Sequence, residues 1–373
     1  MVFGSRRTPS EDEPGPESKS LDFRETLEEI LIPALSRTPC LVAFSGGRDS
    51  SAMLAMAART ARRHGLDEPV PITITYPQNR RTWESQWQQE MVQHLGLWDW
   101  QTISVGTEFD ILGTLAREAL ERHGLYWPSN AHAMIPLLEA ARGGSLITGN
   151  GGDELFLSLV QTRRFRVAEA FRALPPHKAM IALTVPRLPT PWRVGLQFRG
   201  TLRLPWLRPA ARDEVRRHFV ARHAERARTR RHHLETWNDS RYLELIRSIF
   251  STLARDAGAL LSQPFLDPRL SRAVLAGKPP EGFPTRNAAL EAFLGDLLPP
   301  AVAQRTSKAS FTEVFWGPQS RNFARQWDGT GLDPTLVDPA KLRAEWAKPK
   351  PDARAQTPLQ AAWFASVRGI SRP

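Results

Sequence analysis

Leu41-Val42-Ala43-Phe44-Ser45-Gly46-Gly47-Arg48-Asp49-Ser50 is where the chain shows its plan. Four apolar residues run directly into two glycines, as a parallel strand buried on both faces does. Asp49 to His64 follows, rich in Ala and Met and closed by Gly65, the pattern of a helix with its stop signal. Strand, glycine turn and helix together bring two serine hydroxyls, close backbone and a helix N-terminus to one point, a cradle for an anion. Ser45, Gly46, Gly47 and Ser50 are the candidate cradle residues. Asp49 stands in the same place and repels phosphate unless a cation lies between them. The motif therefore points to a polyphosphate with Mg²⁺ held by Asp49. It is not a Walker A loop, because the Gly-Lys-Ser/Thr ending is absent. The plainer alternative is a turn whose Ser and Asp only cap a helix.

Outward from this point the pattern repeats. A helix is expected from Leu21, limited by Pro33, and strands over Val70–Thr75, Thr102–Val105 and Ser145–Thr148. Helices are expected over Thr82–Leu95, Glu108–His123 and His132–Arg142. This alternation predicts an α/β fold, a parallel sheet with helices on both faces. The fourth strand ends in Thr148-Gly149-Asn150-Gly151-Gly152-Asp153-Glu154, a second glycine turn at the same carboxyl edge. Gly149, Gly151 and Gly152 would shape it, and Asp153 would be the second oxygen ligand of the metal held by Asp49. After about Leu159 the strand signals stop and proline-punctuated helices continue to about Trp316. Residues 328–339 read as loop, followed by two short helices. The expected division is a disordered leader (1–20), an α/β core (21–160), a helical portion (161–327) and a C-terminal loop and helices (328–373).

Composition narrows the function classes. The formal charge is +11, from 43 arginines and seven lysines. That imbalance reads as a coding preference for Arg, and no nucleic-acid partner is expected. The densest run, Arg212 to His233, reads as a solvated helix face with acidic residues interspersed, an anionic partner being the alternative. The single cysteine, Cys40, rules out an internal disulfide and fits a reducing cytoplasm, as a small buried residue at a strand start. No apolar run is long enough for a membrane span, and Met1 to Ser20 has no signal-peptide core. Twelve tryptophans are assigned mostly to core packing, Trp83, Trp87, Trp98 and Trp100 among them, with Trp127 and Trp316 as candidates for a substrate pocket. His218, His223, His232 and His233 lack the ligand spacing of a metal site.

The first loop resembles the pyrophosphate loop of the N-type ATP pyrophosphatases. The pair of loops, with Thr148 to Phe156 matching Ser/Thr-Gly-x-Gly-x-Asp-Glu-x-Phe, is similar to the asparagine synthetase family. Further along, Pro264-Phe265-Leu266-Asp267 looks like that family's Pro-Phe-Leu-Asp segment, and Arg305 to Phe311 resembles its Arg-x-x-Lys-x-x-Phe segment. The resemblance covers roughly Phe23 to Trp316 and is expected to extend to the C-terminal helices. It implies an adenine-nucleotide alpha-hydrolase-like (HUP) fold, with 21–160 as the ATP-pyrophosphatase core. It also implies ATP and Mg²⁺, and Lys308 as the catalytic cation at the α-phosphate. Asp267 reads as a helix cap or ion-pair partner.

The activity so implied is AMP-forming amide synthesis: a carboxylate is adenylated, pyrophosphate leaves, and an amine or ammonia takes the acyl group. Family members begin with a glutaminase domain whose nucleophile is an N-terminal cysteine; position 2 here is Val2, so glutamine hydrolysis is not expected of this chain. Nitrogen would come from ammonia, a separate glutaminase or an amine on the substrate, as in the similar β-lactam synthetases and lasso-peptide cyclases, with specialised peptide or natural-product metabolism as the setting. Asn150 stands where β-lactam synthetases carry a tyrosine, and Tyr126 to Asn130 shows no acidic substrate-binding residues. A leader-peptide-binding partner fits the cyclase reading. The rival readings are a stand-alone ammonia-dependent asparagine synthetase, a tRNA-modifying pyrophosphatase and a non-catalytic nucleotide-binding protein.

Overall fold

The computed structural model describes residues 22–77, 85–157, 192, 203–226, 234, 237–278, 282–305 and 312–369. Helix α1 spans Phe23–Leu35, capped by Asp22, whose carboxylate accepts from the Arg24 and Glu25 amides. Strand β1 (Cys40–Ala43) leads into α2 (Arg48–His64), and β2 (Val70–Thr75) into α3 (Ser85–Leu95). Then follow β3 (Gln101–Ser104), α4 (Thr114–His123), a 3₁₀ turn (Ala131–Met134), α5 (Ile135–Ala140), β4 (Ser145–Ile147) and α6 (Gly152–Leu157). Beyond them lie α7 (Pro209–Arg226), α8 (Arg241–Ala257), β5 (Leu260–Ser262), α9 (Pro268–Gly277), α10 (Arg286–Leu294) and α11 (Pro300–Gln304). The chain closes with α12 (Pro318–Gln326), α13 (Pro339–Trp346) and α14 (Gln356–Val367).

The five strands form one parallel sheet in the order β3-β2-β1-β4-β5. Strand periodicity sorts the side chains onto two cores. Cys40, Val42, Phe44 and Ile147 pack on one face with residues of α1, α2, α9 and α10. Leu41, Ile72 and Leu146 pack on the other with residues of α4, α5, α8, α13 and α14. The expected α/β fold with helices on both faces is what the chain adopts. Because β1 lies between β2 and β4, the chain reverses direction across the sheet there. The β1 and β4 ends flank this switch point, where an open parallel sheet leaves a crevice.

Several expected elements differ. The stretch expected to be wholly helical supplies β5, which pairs with β4 in the register Ser145↔Leu260. Leu260-Leu261-Ser262 is too short a run to stand out, and its pairing comes entirely from β4. Helix α1 runs through Pro33 to Leu35, since the proline falls in the last turn and forfeits one hydrogen bond only. The helix expected from Glu108 begins at Thr114 instead. The buried Asp110 carboxylate accepts from the amides of Leu112, Gln319 and Ser320, and so holds residues 108–113 in a turn. Trp98 is 80% exposed, against the core role expected of it, whereas Trp100 donates from Nε1 to Thr73 Oγ1 at 2.9 Å. Trp83, His232, His233 and the end of the arginine-rich run lie outside the described residues.

Candidate active site

The first loop leaves β1 with its carbonyls fastened down. Gln88 Nε2 donates to the Ser45 carbonyl at 3.0 Å, Arg305 Nη1 to Gly46 at 2.6 Å and Ser50 Oγ to Gly47 at 2.9 Å. Arg48 Nη1 in turn donates to the Arg305 carbonyl at 2.5 Å. Ser45 Oγ and Ser50 Oγ lie 3.1 Å apart, so both hydroxyls face one spot.

The second loop sits directly on the first, and glycine makes that contact feasible. A Cβ on Gly149 would meet the Asp49 backbone at 3.0 Å, and one on Gly152 would meet Asp49 Cγ at 2.7 Å. Gly151 has φ 93°, and a Cβ there would come within 2.2 Å of Leu266 Cδ2. Side chains at Gly149 and Gly152 would drive the loops apart, and one at Gly151 would push the second loop off Leu266.

Asp49 and Asp153 converge on one cation, the guanidinium of Arg286 at the start of α10. Arg286 Nη2 pairs with Asp49 Oδ1, and its Nε lies 2.9 Å from Asp153 Oδ1 without hydrogen-bond alignment. Arg48, Arg286 and Arg305 thus gather around the first loop. Burial, then the Arg286 charge, holds the Arg48 guanidinium below its usual range. Burial chiefly, and the Asp153 and Asp49 charges after it, push the Glu154 carboxyl above the ordinary carboxylate range.

A cleft of about 820 Å³ opens between the two loops. Ser45, Gly47, Asp49, Ser50, Gly149, Gly151 and Asp153 line it. Gly46 and Gly152 stand behind the lining, one offering its carbonyl to Arg305 and the other backing Asp49. The structure therefore brings together every expected site residue except Lys308, which lies outside the described residues. Of the tryptophan candidates, Trp316 is buried in the core, while Trp127 sets its ring edge against Tyr242, a lining residue, at 6.3 Å. Asp267 caps α9, accepting from the Arg269 amide at 2.8 Å, as its sequence setting implies.

Sequence reasoning missed Arg286. Among 43 arginines nothing marks it except a place one residue after the Thr285 cap of a helix. Arg305 was in view as the first residue of the third motif, but its hold on Gly46 needs the fold. The apolar wall given by α8 was missed too: Tyr242, Ile246 and Phe250 recur at four-residue spacing, indistinguishable in sequence from a core stripe.

Would the residues present fit Mg²⁺? Two carboxylates already share one cation, so their geometry tolerates a charge between them. No group of three or more His, Cys, Asp or Glu able to hold a metal occurs among the described residues. Two carboxylate ligands completed by substrate phosphates are what Mg²⁺ accepts, so the fit is good.

Fold and cleft define an α/β protein with a cleft between two glycine loops at its switch point. The family model described as asparagine synthase matches residues 22–367, and the chain belongs to the asparagine synthase family. Membership makes it an ATP-dependent amide ligase, joining carbon to nitrogen from a carboxylate and an amine or ammonia. Comparison with curated proteins finds no match. No helix among the described residues is long and apolar enough to cross a membrane.

Proposed function

We propose that this chain adenylates a carboxylate with ATP and transfers the acyl group to an amine or ammonia, releasing pyrophosphate and then AMP. The observation that carries the reading is the convergence of Asp49 and Asp153 on a single cation, between two glycine loops at the switch point. That arrangement suits a bound, metal-charged polyphosphate.

The Ser45–Ser50 loop would hold the β- and γ-phosphates, with Ser45 Oγ and the α2 N-terminus as donors and Ser50 Oγ joining them once its proton turns from the Gly47 carbonyl. Asp49 and Asp153 would hold Mg²⁺, which supplies charge neutralisation of the leaving pyrophosphate. The substrate carboxylate oxygen attacks the α-phosphorus, the bond to the β-phosphate breaks, and pyrophosphate departs toward Arg48, Arg286 and Arg305. The amine then attacks the acyl carbon, AMP leaves, and the amine loses its proton. Lys308 would stabilise the α-phosphate charge in both steps. Three residues tether it to Arg305, a reach of about 11 Å at most. The base would lie over the apolar ends of β1 and β2, where Ala43, Ile72 and Ile74 line the cleft. A cytoplasmic, peptide- or natural-product-directed role agrees with these features, and so does a separate glutaminase or leader-binding partner.

The test measures pyrophosphate release. Asp49→Ala and Asp153→Ala should each abolish it while leaving the circular-dichroism spectrum intact. Near-wild-type release from both variants would remove the metal assignment and the proposal with it.

A further inference from the structure

Among the described residues, buried apolar side chains divide into two large cores, one on each face of the sheet, and a third small cluster that joins neither. Its members are Trp237, Leu243 and Leu266, with Tyr242 packed against them. All four line the cleft. The cluster abuts the second glycine loop, since Leu266 Cδ2 fills the space a Cβ on Gly151 would need. It therefore stands beside the second loop, two residues from Asp153.

One element builds this wall. Tyr242, Ile246 and Phe250 occupy successive turns on a single stripe of α8, and each lines the cleft. Among the described residues, the charged ones of the lining are Arg48, Asp49, Asp153, Glu154, Arg286 and Arg305. They all belong to the two loops, to α10 or to the segment after α11. None comes from α8, from the 3₁₀ turn before α5 or from α5. Arg247, next to Ile246, does not line the cleft; its Nη2 donates to the Leu266 carbonyl at 2.5 Å. A substrate that carries a second charge would meet no counter-ion among the described residues of this wall, and burying that charge unpaired is costly.

We propose that the α8 wall and its cluster form the acceptor subsite, which selects a carboxylic acid carried on an aromatic or branched apolar group. The inference rests on the adenylation reading for the fate of the carboxyl, which the wall would direct toward the second loop. Trp237 and Tyr242, with ring centroids 5.3 Å apart, supply a rigid aromatic surface for that group. Aspartate, short and carrying a second carboxylate and an ammonium besides the reacting carboxylate, is the acid this wall disfavours.

Calorimetric titration tests it, with 4-phenylbutyrate, N-acetyl-glycyl-phenylalanine and aspartate as probes. Each is titrated with and without Mg²⁺ and α,β-methylene-ATP, which cannot be cleaved at the α–β position. At least one of the two apolar acids should bind about 10-fold or more tighter than aspartate, what burying roughly 50 Å² of additional apolar surface gives. A preference for the peptide acid assigns the substrate to peptides, and a preference for the free acid to small molecules. Tyr242→Ala and Ile246→Asp should each lose that advantage, while Tyr242→Phe should keep it. Both positions are half-buried, and binding of the ATP analogue reports that the variants are folded. Aspartate binding as tightly as the better apolar acid, or affinities unchanged in Tyr242→Ala and Ile246→Asp, would overturn the inference. Failure of the analogue to bind wild-type protein would count against the nucleotide reading alone, because the titrations without nucleotide still judge the wall.

Discussion

Arg286 occupies the point where two carboxylates would otherwise repel each other. Replacing it with Gln leaves Asp49 and Asp153 sharing one neighbourhood without that guanidinium. Arg286→Gln should lose roughly 1–2 kcal/mol of stability, as expected for a charge-assisted contact with partly buried groups. Millimolar Mg²⁺ should raise its melting temperature more than it raises that of wild type. Equal shifts would show that the two carboxylates do not form a common cation site. Gly151→Ala tests the loop contact at the same scale, since the new methyl meets Leu266 in a left-handed backbone conformation. It should cost about 1–3 kcal/mol in urea unfolding and weaken nucleotide binding; a neutral effect would mean the second loop is free to move off Leu266. For Lys308→Ala a drop of about 100-fold in rate is expected, with an unchanged rate removing the lysine from the mechanism. The two loops were legible as glycine turns because each follows a short apolar strand and opens a helix. Arg286, by contrast, acquires its meaning only from α10 being folded back onto α6.

At the scale of elements, two buried polar groups decide how pieces join. Asp110 ties the turn before α4 to the N-terminus of α12, accepting from the Gln319 amide at 2.8 Å and the Leu112 amide at 3.0 Å. Asp110→Ala should destabilise the protein by about 3 kcal/mol, because buried amides lose their acceptor. A change under about 0.5 kcal/mol would show the junction is held by packing instead. His132, in the 3₁₀ turn before α5, donates from Nε2 to the Phe109 carbonyl at 3.1 Å. Burial, the largest influence, holds its pKa below the usual value, despite the Phe109 and Ser129 backbone contacts that oppose it. The unfolded chain therefore takes up the proton first, and this contribution to stability is present above about pH 6.5 and lost as pH falls below it. His132→Gln should flatten the fall in stability on acidification from pH 7 to 5; an equally steep fall would assign the dependence to other groups. Strands β1, β2 and β4 were readable from short apolar runs next to glycine or proline. The fifth was not, because three residues carry no periodicity and their strand state comes from a neighbour 115 positions earlier, as the Ser145↔Leu260 register shows.

For the whole molecule, the order β3-β2-β1-β4-β5 is what turns two separate sequence motifs into one site. The alternation of strands and helices gave the sheet and its two covered faces, and the position of both glycine turns after strands gave the edge at which they meet. Which apolar stripe lines a cleft and which packs a core was not readable, since α8 presents the same spacing in either role. The central claim is that ATP is cleaved between its α- and β-phosphates to drive amide formation. Phosphorus NMR of the protein with ATP, Mg²⁺, ammonium and an apolar carboxylic acid tests it most directly. The account predicts AMP and pyrophosphate, appearing only when the acid is present; ADP and inorganic phosphate would contradict it.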